Sequence, residues 1–312
     1  MDILSVGEIV IDFLPGGPGV YIRKPGGAPA NVAVAMSRLG RGAAFCGCAG
    51  DDDFGRFLLD TLRQNGVLPL LKLTKEAITT MAFVSLNEYG ERSFTFARKP
   101  GADMYLTAAQ VEAADISRFG IVHAGSCSLS GGSAAEATVY ALKEAARQRK
   151  LVSFDVNYRD LLWDGDRAAA AKAVQSVLPY VDLLKVSDDE TDMVGGEEVL
   201  PLLRERYGIS AVVETLGRDG ARCFFDGKTL PCPSIPSDAV DTTGAGDAFW
   251  GGFLSTLCEA GVTDSLMLSE NLILSAMKRG CAAGALCVKQ KGAMESLPTS
   301  EALNNFLKEL SQ

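Results

Sequence analysis

The sequence predicts an α/β protein in which a mainly parallel sheet is covered by helices on both faces, with a small second β-sheet over one edge. Between residues 120 and 215, short runs rich in Val, Ile and Leu alternate with helical segments. That alternation is typical of a three-layer fold with a parallel sheet. Two hairpin patterns without an intervening helix interrupt it near the N-terminus. We expect one domain over residues 1–312, with a β-lid formed by about residues 11–24 and 75–104.

The N-terminal half contains the predicted lid. Residues 2–10 are rich in Ile, Leu and Val and indicate a buried strand. Two prolines and three glycines at residues 15–19 separate the arms of a first hairpin, 11–13 and 20–23. Residues 87–91 join a second hairpin. The remaining elements expected in this half are the second hairpin's arms at 80–86 and 92–97, helices at 28–39 and from residue 51 or 52 to 65–66, and a strand at 43–48.

The C-terminal half predicts regular strand and helix alternation. In open sheets of this kind, ligands bind at the carboxyl ends of the strands. The following segments carry the pattern: strands near 120–124, 151–155, 181–186 and 210–215, helices near 133–148, 166–177 and 197–206, further strands within 219–231, a helix after residue 241, and helices near 264–286 and 299–310.

Composition limits the classes of partner. The 312 residues carry a net charge of −9, with 47% apolar and 22% charged residues, which is typical of a globular protein. Nucleic acids and anionic membranes bind clustered Lys and Arg, so we expect neither as a partner. The first eight residues contain acid where a signal peptide contains base, and no apolar run of about 18 residues occurs. We therefore expect a cytoplasmic protein.

The eight cysteines and the single histidine do not form a zinc pattern. No Cys-x-x-Cys pair occurs, and most of the cysteines stand in apolar stretches, so we expect small buried side chains that stay reduced. His123 lies in a strand-like run and is expected to be a hydrogen-bonded core residue. Catalysis by this chain therefore depends on carboxylates.

A glycine-rich loop that enters a helix is the main candidate site. Residues 241–247 read DTTGAGD, and small apolar residues follow. The free N–H groups of such a helix start, here at Gly244, Ala245 and Gly246, favour binding of a phosphate group. Asp247 has two interpretations. It caps the helix, or it is a general base that takes a proton from an attacking hydroxyl.

A second constellation opens the first helix. Gly26 and Gly27 permit close approach of a ligand to the backbone, and Asn31 offers a donor and an acceptor. Asp12 lies just upstream in the first hairpin. This mixture suits a sugar, whose hydroxyls both donate and accept. The alternative is a simple turn followed by a polar helix residue, but Asn is a poor helix former among Ala and Val.

The chain resembles the ribokinase-like (PfkB) carbohydrate kinases over nearly all its length. Both family signatures are present: GGAPANVA at residues 26–33, with Gly40 and Gly50 at the expected distances, and DTTGAGD at residues 241–247, followed by GGFL at 251–254. The resemblance implies a ribokinase-like fold, ATP and Mg²⁺ as cofactors, an anion hole at residues 244–246, and Asp247 as the catalytic base. With that, the base becomes the preferred interpretation of Asp247.

The same resemblance implies the nucleotide and metal residues. Ser187 stands where the family has the Asn of an Asn-x-x-Glu motif, and Cys281 stands where an Asn is common, so both depart from the pattern. The implied nucleotide-binding residues are Ser187, Thr215, Gly217, Gly220 and Cys281. The implied metal-site residues are Glu190 for Mg²⁺ and, for a monovalent cation such as K⁺, Asp241, Thr243, Cys287, Gln290, Gly292 and Ser296.

The substrate is predicted from three further segments. Residues 7–12, 94–98 and 154–163 look most like those of fructokinases, and 2-keto-3-deoxygluconate kinases share much of them. Arg98, Asn157 and Arg159 are the implied sugar contacts, and the two arginines have an alternative role at the surface or in a dimer contact. We expect an ATP-dependent fructokinase; the alternatives are a 2-keto-3-deoxygluconate kinase, another PfkB sugar or nucleoside kinase, or a silent sugar-binding regulator. The exposed edges of the hairpins predict a homodimer through the lid.

Overall fold

The structure is a computed structural model that describes residues 1–17, 19–86 and 92–310. Its strands in these ranges are β1 (Ile3–Val6), β2 (Val10–Gly17), β3 (Val20–Gly26), β4 (Ala43–Gly50), β5 (Leu68–Thr74), β6 (Met81–Leu86), β7 (Arg92–Ala97), β8 (Ile121–Gly125), β9 (Leu151–Asp155), β10 (Leu183–Ser187), β11 (Ala211–Thr215), β12 (Ala221–Phe225) and β13 (Lys228–Cys232). Its α-helices are α1 (Ala28–Arg38), α2 (Asp53–Gln64), α3 (Ala108–Ala113), α4 (Gly132–Arg147), α5 (Arg167–Val177), α6 (Leu203–Tyr207), α7 (Ala245–Glu259), α8 (Glu270–Cys287), α9 (Ala293–Ser296) and α10 (Ser300–Glu309).

The larger sheet has a strand order that reverses beside β1. Within the described residues it contains nine strands in the order β13-β12-β11-β10-β9-β8-β1-β4-β5. The neighbouring strands β11, β10, β9, β8, β1, β4 and β5 are all parallel. Strand β12 is antiparallel to β11, and β13 is antiparallel to β12. The chain runs from β1 towards β5 on one side and from β8 towards β13 on the other. Such a switch point opens a crevice at the carboxyl ends of the strands.

The inner strands of the larger sheet bury alternate side chains in two cores. Ile3 and Phe45 face a core with α1, α2, α7, α8 and α10. Leu4 and Cys46 face a second core with α3, α4, α5 and α6. Period-2 alternation between two apolar layers is the geometry of a sheet covered on both faces, and it confirms the predicted three-layer arrangement. His123 lies buried in β8 with Ser153 Oγ 3.0 Å from its Nδ1, so the prediction of a core histidine is confirmed.

The smaller sheet is built from the two predicted hairpins. Within the described residues its order is β3-β2-β6-β7, with antiparallel β2–β3 and β6–β7 pairs and a parallel β2–β6 pair. The predicted connection at residues 87–91 lies outside the described residues. Two ion pairs join this sheet to the rest of the chain: Lys24 with Glu295 at 3.0 Å, and Lys99, just after β7, with Asp164 at 2.6 Å.

Several predicted boundaries were wrong. The strand predicted at 2–10 ends at Val6, because the chain turns through Gly7, with φ +149°, and enters the smaller sheet at Val10. The helix predicted at 197–206 is a 3₁₀ segment followed by the short α6, since Pro201 lacks the N–H of a regular helix. The helix predicted at 264–286 begins at Glu270, where Ser269 caps it.

Sequence reasoning also missed two elements, β5 and α3. Strand β5 contains Pro69, which weakens a strand pattern but is tolerated on the outer strand of a sheet. Helix α3 is only six residues long, and so short a segment carries little periodicity. No helix within the described ranges is long and apolar enough to cross a membrane.

Close packing of α7 against α1 and α8 positions the site. A Cβ added at Gly251 would overlap Ala35 Cβ on α1, and one added at Gly252 would lie 3.0 Å from the Gly280 Cα on α8. The two helices of the α1–α7 pair therefore approach nearly to backbone contact. One turn before this contact stand Asn31 on α1 and Asp247 on α7, so the same crossing brings those side chains together.

Candidate active site

Helix α7 begins at the glycine-rich loop without a side-chain cap. Gly244 has φ +80°, which favours glycine, and within the part of the chain that the structure describes this helix start has no side-chain cap hydrogen bond. The interpretation of Asp247 as a helix cap is therefore wrong. The positive end of the helix faces two cavities that share Thr242 and Gly246 as lining residues. An anion placed at this junction meets the helix dipole directly.

The carboxylate of Asp247 is oriented by a residue far away in sequence. Asp247 Oδ2 accepts a hydrogen bond of 2.7 Å from Asn31 Nδ2, and the two side chains are buried. Burial raises the pKa of Asp247 to about 6, while the Asn31 hydrogen bond and the nearby Lys185 and Arg159 oppose that rise. A carboxylate with a pKa slightly below neutral is deprotonated at pH 7 and basic enough to accept a proton.

The cavity on the Asp247 side has a volume of about 510 Å³ and mixes polar and apolar walls. Leu14, Ala82, Val84 and Phe96 of the smaller sheet form an apolar cover. Five of the predicted substrate residues line it: Asp12, Gly27, Asn31, Asn157 and Arg159. Together with Asp247, which also lines the cavity, these residues come from four separate segments.

Two buried oxygen atoms in this cavity lack a protein partner. Glu8 Oε1 accepts from the Ala28 N–H at 3.2 Å, but Glu8 Oε2 and Asn31 Oδ1 have no hydrogen-bond partner among the described residues. Buried polar atoms are nearly always hydrogen-bonded, so the cavity suits a ligand rich in hydroxyl groups. Sequence reasoning missed Glu8 as a site residue; the signal that marks it is an acidic residue within the apolar run near the N-terminus.

The glycines of the first signature make room for functional groups. Gly27 has φ +106°, and a Cβ on it would lie 2.6 Å from the Glu8 carbonyl oxygen. Gly26 does not line the cavity, but a side chain there would collide with the Asp12 carboxylate. Burial raises the pKa of Asp12 to about 7, against the attraction of Arg159.

Arg159 and Arg98 lie in different environments. Arg159 lines the cavity and is solvent-exposed, although protein atoms surround it on several sides. Arg98 is 7% exposed and is absent from the lining; its guanidinium pairs with Asp103 at 2.8 Å and donates to Ser130 Oγ. Arg98 is therefore neither a surface arginine nor, in this arrangement, a sugar contact.

Sequence reasoning missed a buried ion pair beneath the helix start. Lys185 Nζ lies 2.7 Å from Asp155 Oδ2, and both side chains are at most 5% exposed. A Cβ added at Gly246 would lie 3.3 Å from Lys185 Nζ, so the ammonium group borders the anion site. Burial alone lowers the pKa of Lys185, but attraction to Asp155 and Glu190 outweighs it. The signal was a lysine within the apolar strand predicted at 181–186.

The second cavity, of about 620 Å³, lies on the other side of the helix start. It is lined by all the predicted nucleotide residues, which are Ser187, Thr215, Gly217, Gly220 and Cys281. Apolar atoms of Ile235, Phe249 and Val288 form much of its wall. A cavity with apolar lining residues that reaches a helix N-terminus suits a base and its phosphates.

The predicted metal residues lie at two places. Glu190 accepts hydrogen bonds from the N–H of Tyr158 at 2.7 Å and from that of Ser187 at 3.0 Å. Each of its carboxylate oxygens therefore accepts one backbone hydrogen bond. Within the described ranges, no group of three or more His, Cys, Asp or Glu residues could hold a metal ion. This donor set fits a Mg²⁺ ion bound mainly by ATP phosphates and water.

The residues predicted around a monovalent cation come together beside α7. Asp241 accepts the N–H groups of Thr243 at 2.9 Å and Gly292 at 3.0 Å. Ser296 Oγ lies 3.0 Å from Cys287 Sγ and donates to the Gly292 carbonyl oxygen. Gln290 is exposed. Carbonyl and carboxylate oxygens dominate this loop, which suits a hard cation.

The chain belongs to the PfkB family of carbohydrate kinases, whose sequence profile matches residues 2–300. It is 40% identical to fructokinase-2 of Oryza sativa subsp. japonica over 311 residues, covering 95% of this chain and 91% of that protein. A fructokinase of Xylella fastidiosa with bound ATP superimposes with a TM-score of 0.93 at 31% identity, covering 100% of this chain and 99% of the other. A fructokinase of Vibrio cholerae O395, bound to fructose, ADP and calcium, gives 0.87 at 34% identity and 98% coverage of each chain. The resemblance inferred from the two signatures is confirmed.

Proposed function

We propose that this protein is an ATP-dependent fructokinase that phosphorylates a primary hydroxyl of fructose. The observation that carries the proposal is Asp247, a buried carboxylate with a pKa of about 6 at the junction of the two cavities. The 510 Å³ cavity takes the sugar and the 620 Å³ cavity takes ATP. Several curated relatives and solved neighbours of this chain are fructokinases.

In the proposed mechanism the residues act mainly by position. Asn31 holds one oxygen of Asp247, and the other accepts the proton of the attacking hydroxyl. The amides after Gly244 and the ammonium group of Lys185 stabilise negative charge on the transferred phosphoryl group. A Mg²⁺ ion held with ATP near Glu190 would supply positive charge that neutralises the phosphates. The smaller sheet acts as a lid, and its apolar cover excludes water from the sugar.

Fructose is preferred to a sugar acid because the sugar cavity offers little positive charge. Among the described residues, Arg159 is the one basic side chain that lines it, and Glu8, Asp12 and Asp247 also line it. A bound carboxylate would face these three acids, whereas neutral hydroxyls donate hydrogen bonds to them. Arg98 contributes indirectly, by fixing Asp103 beneath the lid.

One assay tests the function and its alternatives. ATP consumption is measured by a coupled assay without sugar and with fructose, 2-keto-3-deoxygluconate, ribose or nucleosides. We expect fructose to give the highest kcat/KM. If 2-keto-3-deoxygluconate is turned over robustly and fructose is not, the substrate is 2-keto-3-deoxygluconate. If no sugar increases ATP consumption, the protein is a silent sugar-binding regulator.

We also propose a monovalent cation beside the loop that contains Asp241. Substitution of Na⁺ for K⁺ at constant ionic strength should lower kcat if the loop holds K⁺, because the ion fixes the backbone before Gly244. Equal rates in both salts would contradict this.

The free thiols of all eight cysteines support a cytoplasmic location.

A homodimer through the lid is a further part of the proposal. Val20, Tyr21 and Ile22 are each about half exposed, at 53%, 48% and 49%, on β3, an outer strand of the smaller sheet. Consecutive exposed apolar residues on an outer strand favour pairing of its free edge with a second copy. The dimer would cover this strand and hold the lids of both copies in place.

A further inference from the structure

Two cysteines meet at the wall of the nucleotide cavity. Cys281 lies on α8 and lines the cavity, and Cys232, the last residue of β13, lies behind it. Their sulfur atoms are 3.8 Å apart. Both are free thiols on elements that are distant in sequence. The pairing is therefore a product of the fold and not of a local motif.

We propose that Cys232 and Cys281 are a dithiol switch, in which a peroxide-type oxidant forms a disulfide between them that weakens ATP binding. The proposal rests on the assignment of the 620 Å³ cavity to the nucleotide. In the balanced reaction, two thiols and one hydrogen peroxide give one disulfide and two waters. One thiolate is first oxidised to a sulfenic acid, and the other displaces hydroxide from it as the S–S bond forms.

The geometry needs only a small movement. The sulfur atoms are 3.8 Å apart. A disulfide bond is about 2.05 Å long, so the two sulfurs must approach each other by about 1.8 Å. Cys232 ends an outer strand and is followed by residues without helix or strand. This segment can shift without breaking the parallel part of the sheet.

The two thiols differ in access and in acidity. Cys281 is half-buried and borders an open cavity, so a small peroxide reaches it. A hydrogen bond joins the two thiols; it lowers the pKa of Cys232 and raises that of Cys281, so Cys232 is the thiol that ionises more readily. Either thiol is thus within reach of its partner as soon as one of them is oxidised.

The switch acts on ATP because the cavity wall continues directly from Cys232. Ser234, Ile235, Pro236 and Ser237 line the cavity. Gly220, another lining residue, packs so closely that a Cβ on it would lie 2.5 Å from the Ser234 N. Drawing Cys232 towards Cys281 therefore moves this wall. By reciprocity, an oxidation that weakens ATP binding is itself opposed by bound ATP.

The experiment maps thiols and nucleotide affinity on the same samples. The protein is treated with hydrogen peroxide, quenched with catalase, alkylated and digested for mass spectrometry, with and without MgADP. We expect a Cys232–Cys281 disulfide, slower formation with MgADP, and ADP affinity by calorimetry about tenfold weaker, within the usual coupling range of about 5 to 150-fold. Dithiothreitol should restore the affinity, and the KM for fructose at saturating ATP should stay constant.

Variants separate the switch from general oxidation, each compared with its own reduced form. Cys232→Ser should lose the response to peroxide. The matched control Cys258→Ser should keep it, because Cys258 lies near the far end of α7 from the cavities. Three outcomes would overturn the proposal. Both thiols would still be alkylated after peroxide, or the disulfide would form without a loss of ADP affinity. In the third, peroxide would lower the ADP affinity of Cys232→Ser as much as that of the parent protein. Mass mapping and ADP binding do not depend on which sugar is phosphorylated.

Discussion

Asn31 Nδ2 donates a 2.7 Å hydrogen bond to Asp247 Oδ2 across 216 residues of sequence. The bond joins the first family signature, at the start of α1, to the second, at the start of α7. It orients the carboxylate towards α1, and in the proposed mechanism the other carboxylate oxygen is the one that accepts the proton of the sugar hydroxyl. Because the Asn31 Oδ1 atom has no partner among the described residues, the same amide can also accept a bond from the substrate.

Replacement of Asp247 with Asn tests the proposed base. Asp247→Asn keeps the size of the side chain but cannot accept the proton, and loss of a general base typically lowers the rate by about 10² to 10⁴. We expect kcat to fall within that range while fructose and ADP still bind by calorimetry. Asp166→Asn, at the exposed cap of α5, is the matched control. Near-normal turnover of Asp247→Asn would remove this residue from the mechanism.

The pH dependence follows from the raised pKa of Asp247. Its folded pKa of about 6 exceeds the ordinary 3.8, so kcat should fall as pH drops below about 6 and the base becomes protonated. The sign for stability is opposite: the folded state binds the extra proton between those values, so this group's contribution is largest below about pH 4 and is lost as pH rises through 6. Activity and unfolding free energy are measured from pH 4.5 to 8.

Two other acids titrate nearby and need a control. Burial raises the pKa values of Glu8 and Asp12 to about 7. The acidic limb near pH 6 should persist in Asp12→Asn if Asp247 is responsible for it. A kcat that stays flat down to pH 4.5 would contradict the assignment.

Replacement of Gly251 with Ala should increase the distance between α1 and α7, and with it the distance between Asn31 and Asp247. In Gly251→Ala the added methyl overlaps Ala35 Cβ, and overpacking of this kind costs about 1 to 3 kcal/mol in unfolding free energy. The shift moves Asn31 away from Asp247, and a displacement of about 1 Å can lower kcat about 100-fold. Denaturant unfolding and kcat are compared with those of Cys258→Ala on the same helix. An active, stable Gly251→Ala would show that this contact does not set the site.

Arg159 distinguishes a neutral sugar from a sugar acid. With fructose, Arg159→Gln loses one hydrogen bond to a hydroxyl, so KM should rise about tenfold, equivalent to about 1.4 kcal/mol. A carboxylate substrate would lose its ion pair and suffer much more. The exposed Arg167, which pairs with Asp192, provides the control variant Arg167→Gln. An unchanged KM for fructose would place Arg159 outside the substrate contacts.

Charge on the outer strand of the lid should dissociate the proposed dimer. Ile22→Lys places an ammonium group among the exposed apolar residues of β3, where it would be buried in a dimer at a high cost. Sedimentation velocity at micromolar concentration should give a dimer for the parent protein and a monomer for the variant. Leu266→Lys, at a residue that is 90% exposed outside the lid, is the control. A fully active monomeric parent would end the dimer proposal.

The sequence predicted most elements because their signals are local. The start of α7 follows from glycines 244 and 246 and the apolar residues after them, and the lid hairpins follow from strand runs without an intervening helix. The elements that were missed or misplaced depended on context. Strand β5 tolerates Pro69 only as an outer strand, and the true start of α8 was hidden by the short turn before it.

The sequence by itself determined the fold class, the glycine-rich loop proposed to bind phosphate, and the candidate acids Asp12 and Asp247, because each depends on residues a few positions apart. Only the tertiary structure decided that Asp247 binds Asn31, that Lys185 pairs with Asp155, that Arg98 pairs with Asp103 outside the sugar cavity, and that Cys232 meets Cys281. Most of these contacts join residues 30 or more positions apart. Their physical cause is the packing of helices and strands, above all the glycine contact between α1 and α7, and no local pattern encodes which side chains such a crossing brings together.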